Sequence, residues 1–364
     1  MKFVTLFPYS MGFNLRKDVG MIPYLLGEEF SYQASLVSYK NEEFYDKKGV
    51  ESLNLEFMDK KYGEMADVLL YLWRNYKNID VLNCYHYTYK TLLYLSFFKI
   101  LKGKKGISYL KLDADDKIMG HPKGFLKKLV YEWFFRKIDL ITIETKLLYN
   151  YLKDKSPNLV YLPNGFYNFD KSERENIEKQ KFFLTVSVLD EARKSTFTII
   201  HAFSLFTFSH PDHTWKLRLV GPHGEEFKIQ LEEFIKMNSH VENKIELLGP
   251  IYDPVKLEKQ YREASIFILA SLSESFGLVY VEALQYGCYI LSTPLTPAIE
   301  ITNNGEFGDF FEKKNSEELA LKMAEVYNKD LKKTSIDAAK FAFENFYWVR
   351  IIEKLDKELR KLHN

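Results

Sequence analysis

Cysteine is nearly missing from this chain. Only Cys84 and Cys288 occur in 364 residues, far apart and outside any metal-type spacing. That argues against a disulfide framework and against a zinc site, and it suits a reducing cytoplasm. Long apolar runs are missing as well. No window approaches the roughly 18 apolar residues that a membrane span needs, and the longest candidate, 91–101, is broken by Lys99. The opening MKFVTLFPYS has an apolar stretch interrupted by Thr5 and Pro8, without the longer apolar region and small-residue cleavage site of a signal peptide. It reads as a first strand. Nor is one sign of charge in excess: 51 basic residues face 50 acidic ones, a net +1. With no nucleic-acid motif either, nucleic acid is not an expected partner. Internal repeats and low-complexity segments are also absent. The expectation is a cytoplasmic protein, open to a peripheral place on the inner face of the cell membrane.

What is present suffices for two domains of ordinary size. Hydrophobic residues make up 46% of the chain and charged residues 28%, a globular balance. In the second half, short apolar runs alternate with helical patterns. KFFLTVSVL (181–189) reads as a strand and 196–208 as a helix capped by Ser195 or Thr196. WKLRLVG, ending at Gly221, and KIELLG, ending at Gly249, read as further strands. Asp253-Pro254 is an N-cap followed by proline at the first helical position. IFILA (266–270) is a buried parallel strand. A helix is expected from near Phe276 to Gly287, with Ser273 or Ser275 as its N-cap, and CYILST is the next strand. A strand, turn and helix in this order leave first-turn N–H groups aimed at the strand's carboxyl edge, where an anion satisfies them, and Gly277 lets it approach. Glu274 lies in the turn and Glu282 eight positions on, inside the helix. A carboxylate accepts from vicinal hydroxyls, whereas phosphate oxygens need donors. The pattern suits a nucleotide diphosphate sugar.

Glu274-Ser275-Phe276-Gly277, then Glu282-Ala283 and Gly287, resembles the donor-site motif of glycosyltransferase family four. These are retaining enzymes of the GT-B fold, with two Rossmann-like doubly wound domains facing across a cleft and a C-terminal helix crossing back to the first. The resemblance extends over most of the second half, including Pro297 to Glu300 and Asn303 to Gly308 as a later loop and strand. It implies that Glu274 contacts the donor sugar, that Ser275, Phe276, Gly277 and Leu278 contact the diphosphate through the loop backbone, and that Glu282 holds the ribose. Lys194 matches the diphosphate-binding lysine. The family usually has arginine six residues earlier, where this chain has Val188; Arg193 either replaces that charge or is a solvated loop residue. Gly221 and Gly249 mark where the base would be read. The domains implied are 1–165 for the acceptor, 166–346 for the nucleotide sugar, and a helix over 347–364 packing back on the first. The turn at Pro163-Asn164-Gly165 resembles the family's link, and the polar run from Lys171 fits a surface connection.

In the first half, Lys2 to Tyr9, Ala34 to Tyr39, Val81 to Tyr85, Ile107 to Leu112, Leu140 to Glu144 and Asn158 to Leu162 are candidate strands. Gly12 follows the first and either lets the donor phosphates approach or is a turn glycine. On the acceptor side stand His86 and Asp18, His86 being equally readable as a packed histidine. Asp113 occupies the place where the family often has a histidine, and a carboxylate there can orient the acceptor hydroxyl or take its proton. Asp113-Ala114-Asp115 also spells the acidic triplet by which the GT-A fold holds a divalent metal, but the second half supplies its own cations, so no metal and no cofactor are expected. Residues 1–165 carry 25 basic and 19 acidic residues, and 99–137 carry 11 and 4. TLLYLSFFKILKGKKG and GFLKKLVYEWFFRK, within and beside that stretch, are either amphipathic helices on an anionic membrane or core with a solvated lysine face.

The expected activity is a retaining, metal-independent hexosyltransferase. It moves sugar from a nucleotide diphosphate sugar to a glycan or lipid-linked oligosaccharide, in bacterial surface polysaccharide or glycoconjugate synthesis. The 42 Lys against 9 Arg fit an AT-rich bacterial genome. Val188 and Asp113 leave open a non-catalytic GT-B subunit binding nucleotide, glycan or a partner enzyme. A nucleotide-sugar epimerase of similar architecture is a further alternative.

Overall fold

A computed structural model describes residues 1–40, 47–120, 132–169 and 179–363. The chain divides into two compact units, Met1–Tyr167 with Phe346–Asn364, and Asn168–Asn345.

The first unit is built on seven parallel strands in the order β3-β2-β1-β4-β5-β6-β7. They are β1 (Lys2–Leu6), β2 (Gln33–Tyr39), β3 (Asn54–Met58), β4 (Val81–Tyr85), β5 (Ile107–Lys111), β6 (Leu140–Ile143) and β7 (Leu159–Tyr161). β4 and β5 are buried at every position, as parallel strands covered on both faces must be. Six strands were expected here; the seventh, β3, sits at the sheet edge with only its last residue buried, so it lacks an apolar run. The first strand ends at Leu6 rather than Tyr9, because the chain turns at Pro8.

The second unit repeats the plan with six parallel strands in the order β10-β9-β8-β11-β12-β13. They are β8 (Gln180–Val186), β9 (Lys216–Val220), β10 (Ile245–Gly249), β11 (Ala264–Leu269), β12 (Tyr289–Ser292) and β13 (Gly308–Phe310). Residues 297–300 belong to a helix, Thr296–Ile301, instead of a loop, and the strand follows at 308–310 instead of 303–308. Pro297 near the helix start explains the first difference, since proline is tolerated in the first turn. Ser195 lies at the start of helix Thr196–Ser209 but makes no side-chain cap. Glu191 takes that part, accepting from the Phe197 N–H at 3.1 Å.

The helix Trp348–His363 packs within the first unit. Phe166 accepts from the Trp348 N–H at 3.0 Å and donates to the Phe346 carbonyl at 2.9 Å, while Tyr32 donates to Asp356 at 2.8 Å. Gly165 has no room for a Cβ beside that crossing. In both sheets the strand order reverses beside the first strand, between β1 and β4 and between β8 and β11. In such open sheets ligands bind beyond the carboxyl ends of the strands at that switch point.

Candidate functional site

In the second unit the loops after β8 and β11 leave the sheet side by side, and hydrogen bonds tie them together. The Leu272 N–H donates to the Arg193 carbonyl at 2.8 Å. Lys194 forms an ion pair with Glu274, both largely buried, and Ser271 donates to the same Glu274 oxygen at 2.6 Å. The lysine loop is shaped by Asp190, a residue that sequence reading passed over. Its carboxylate accepts from the Arg193 N–H at 2.7 Å and the Lys194 N–H at 3.1 Å. Burial alone would raise the Asp190 carboxyl; those two N–H groups and the Arg193 guanidinium outweigh it and hold it below the usual range. Arg193 itself points outward, with 69% of its side chain exposed and a 3.4 Å ion pair to Asp190. Val188 is 41% exposed.

The helix that carries Glu282 runs over Leu278–Leu284, starting two residues later than expected, and neither Ser273 nor Ser275 caps it. Gly277 stands at the cap with φ +76, a left-handed conformation that glycine adopts without strain. A Cβ at this position would come within 2.7 Å of the Tyr280 ring. The start is delayed because the Phe276 side chain turns into the core, which holds Ser275 and Phe276 in a bend. Leu278 is half-buried in the first turn. One turn further along, Glu282 accepts from the Tyr261 hydroxyl at 2.7 Å. Gly221, at φ +142, has a packing duty: a Cβ there would overlap the Ser187 carbonyl, so the loops after β8 and β9 can pass only over glycine.

The first unit gathers charge at the corresponding edge. Lys111, the last residue of β5, is 1% exposed and pairs with Glu144, which is 0% exposed. Asp18 lies 3.7 Å from the same ammonium. Burial would lower the Lys111 pKa, but Glu144 and Asp18 outweigh it and hold it well above its ordinary range. Glu144 also accepts from the Asp113 N–H at 3.1 Å. Asp113 has φ +42, its neighbour His86 has φ +62, and the two side chains lie 3.8 Å apart. Non-glycine residues in that conformation are strained, and such strain concentrates at functional sites. Burial first, then Asp18 and Glu144, raise the Asp113 carboxyl to about 7. Asp115 turns away to Lys117 at 3.4 Å. Among the described residues no group of three or more His, Cys, Asp or Glu is placed to hold a metal ion. Gly12 opens a short helical turn, Gly12–Arg16, after β1.

Glu144 and Tyr261 gave no signal as candidate site residues. A lysine closing an apolar strand, ISYLK, was the one available hint for Lys111.

In the basic aromatic stretch, helix Tyr89–Lys102 buries Leu92, Tyr94, Leu95 and Phe98, while Tyr89, Leu93 and Ile100 are exposed. The core reading therefore holds for the buried side of this helix. Of the second stretch, Trp133 is exposed with Lys137 over its ring at 5.8 Å, and residues 124–131 lie outside the described ones. The polar run 171–178 lies outside them too. No helix among the described residues is long and apolar enough to cross a membrane.

Comparison with known proteins gives this geometry a family setting. Residues 168–342 match the family described as glycosyl transferases group 1. An uncharacterized glycosyltransferase of Methanocaldococcus jannaschii is 30% identical over 155 residues, a stretch covering 42% of this chain and 42% of that protein. Among solved structures, HepE of Anabaena in complex with UDP and glucose is similar over 99% of each chain at 16% identity, with a TM-score of 0.74. A glycosyltransferase of Rickettsia africae reaches 0.75 at 17% identity, over 99% of this chain and 98% of that one. The chain thus shares the GT-B fold of these structures over nearly its whole length, and residues 168–342, almost all of the second unit, are similar to the group 1 glycosyl transferases.

Proposed function

We propose that this protein is a retaining glycosyltransferase that transfers a hexose from a nucleoside diphosphate sugar to a glycan or lipid-linked acceptor. The observation that carries the reading is the Lys194–Glu274 pair, where a cation and an acceptor-only carboxylate meet at the carboxyl edge of the second sheet, at its switch point. Without a donor each satisfies the other. A diphosphate arriving there takes the ammonium from Glu274 and leaves the carboxylate to accept from sugar hydroxyls, so one exchange engages both ends of the donor. Lys194, with Arg193 beside it, neutralises the charge that grows on the departing diphosphate, and losing such a group typically costs about 10² to 10³ in rate. Glu282 accepts from the ribose hydroxyls. Asp113, with His86 alongside, orients the acceptor hydroxyl and takes its proton. Attack from the leaving-group face accounts for retention without an enzymatic nucleophile. The nucleotide-bearing neighbour HepE supports UDP as the first donor base to try.

The test is release of nucleoside diphosphate from a panel of activated hexoses, with and without oligosaccharide acceptors. Wild-type protein should turn over at least one donor with retention of anomeric configuration and keep its rate in excess EDTA, while Lys194→Ala falls by two to three orders of magnitude, on the order stated above. Loss of rate on chelation, restored by manganese, would overturn metal independence. Val188, exposed where the family usually has arginine, favours one second reading, a non-catalytic subunit. Binding of nucleotide with no turnover of any donor would support it.

A further inference from the structure

Tyr261 belongs to helix Pro254–Glu263 and is 1% exposed. Its ring packs on Phe267 of β11 at 5.9 Å, and its carbonyl accepts from the Cys288 thiol at 3.1 Å and from the Lys179 ammonium at 3.5 Å. The residue is thus fixed at both ends, and its hydroxyl donates to Glu282 Oε2 at 2.7 Å. Burial first and the Glu282 charge second push the phenol well above its ordinary range, so it stays protonated and faces the carboxylate only as a donor. Glu282, by contrast, is half-buried on a helix of seven residues. A glutamate has three rotatable bonds, and a ligand that must order them binds more weakly than one that finds them already ordered.

We propose that Tyr261 is a positioning residue for ribose recognition: its hydroxyl holds Glu282 in the one orientation that accepts from both vicinal ribose hydroxyls, giving preference for ribonucleoside over 2′-deoxyribonucleoside diphosphates. The inference rests on Glu282 binding ribose. A carboxylate has about four acceptor positions, enough to accept from Tyr261 and from two ribose hydroxyls. Removing the 2′-hydroxyl from the ligand strands one of those positions, and removing the tyrosine hydroxyl lets the carboxylate turn from the 2′-hydroxyl while it still accepts from the 3′-hydroxyl.

Calorimetry on the full chain with UDP, GDP and their 2′-deoxy counterparts tests this on wild type, Tyr261→Phe and Glu282→Ala. Wild type should prefer the ribonucleotide by about tenfold, the scale of one hydrogen bond to a charged group. Tyr261→Phe, which keeps the ring, should lose most of that preference while binding the deoxynucleotide as wild type does. Glu282→Ala should abolish it. If Tyr261→Phe keeps the wild-type ratio, or weakens both nucleotides equally, Tyr261 is only a core aromatic and the inference fails while the Glu282 reading stands. A wild type without preference, unchanged by Glu282→Ala, overturns both. Should Tyr261→Phe not fold, a crystal of wild type with bound nucleoside diphosphate decides. Glu282 on the ribose with the Tyr261 bond intact supports the inference, and Glu282 on the ribose with that bond broken overturns it.

Discussion

Asp113 feels its negative neighbours more strongly than its positive ones. Asp18 and Glu144 approach it within the first unit, Lys111 and Lys17 oppose them, and burial raises its carboxyl to about 7. An ordinary aspartate titrates near 4, so between about 4 and 7 the folded chain holds a proton that the unfolded chain has released. Stability attributable to this group therefore falls as pH rises through that window and is level above it. Asp113→Asn removes the dependence. The stability difference, variant minus wild type, should grow in the variant's favour from pH 5 to pH 7 and then stay constant, as read by urea unfolding at four pH values. A difference independent of pH would mean that the carboxyl is not raised. Acceptor use should move the other way: the variant loses the group proposed to take the proton, so the alkaline rise in transfer rate with an apparent pKa near 7 should disappear. Lys194, Glu274 and Glu282 stand out as single letters because they match a spaced motif. Lys111 and Tyr261 do not, because each pairs with a residue far away in sequence, Glu144 and Glu282.

Between residue and fold lie the loops that leave the strand ends, and two glycines in the second unit separate packing from tolerance. Gly221 lies at φ +142 with the Ser187 carbonyl where its Cβ would be. Gly224 has nothing within 4 Å of that position. Gly221→Ala should destabilise by at least about 2 kcal/mol, the scale of a strained backbone with a displaced neighbour. It should also weaken nucleotide binding, because the displaced segment continues into Arg193 and Lys194. Gly224→Ala, as control, should stay within about 0.5 kcal/mol; equal effects of the two in urea melts would reject the packing argument. The same scale shows what sequence reading can reach. β11 was legible because every buried position along it holds an apolar residue, and β5 because Ile107, Tyr109 and Leu110 mark it although Ser108 and Lys111 are buried as well. β3 was not, because an edge strand with one buried residue has no such run. The start of the helix before Glu282 was misread by two residues, since nothing in SESFG reveals that Phe276 turns inward while Gly277 takes the left-handed cap.

At the scale of the whole molecule, the alternation of strands and helices was enough to name two parallel sheets, whereas the order of strands in each has no counterpart in that alternation. The chain's last segment offers the sharpest test of how the two units are stabilised. Helix Trp348–His363 buries Trp348, Ile351, Ile352, Leu355 and Leu359, all within the first unit. Burying one such side chain contributes about 1.5–3 kcal/mol, so the five together rival the 5–15 kcal/mol that holds a typical domain folded. The backbone exchange between Phe166, Phe346 and Trp348 adds to that loss, as does the Tyr32–Asp356 bond. The second-unit core cluster built around Phe183, Phe203, Phe206 and Trp215 takes, among the described residues, none from beyond Leu331. Ending the chain at Asn345 should therefore unfold the first unit and spare the second. Limited proteolysis of the truncated chain should digest residues 1–167 and leave a resistant fragment close to 168–345, which still shows a cooperative thermal transition. The full chain should resist over both units. If the truncated chain protects its first 167 residues as well as the full chain does, the helix is an appendage and the five buried side chains contribute far less than their burial implies.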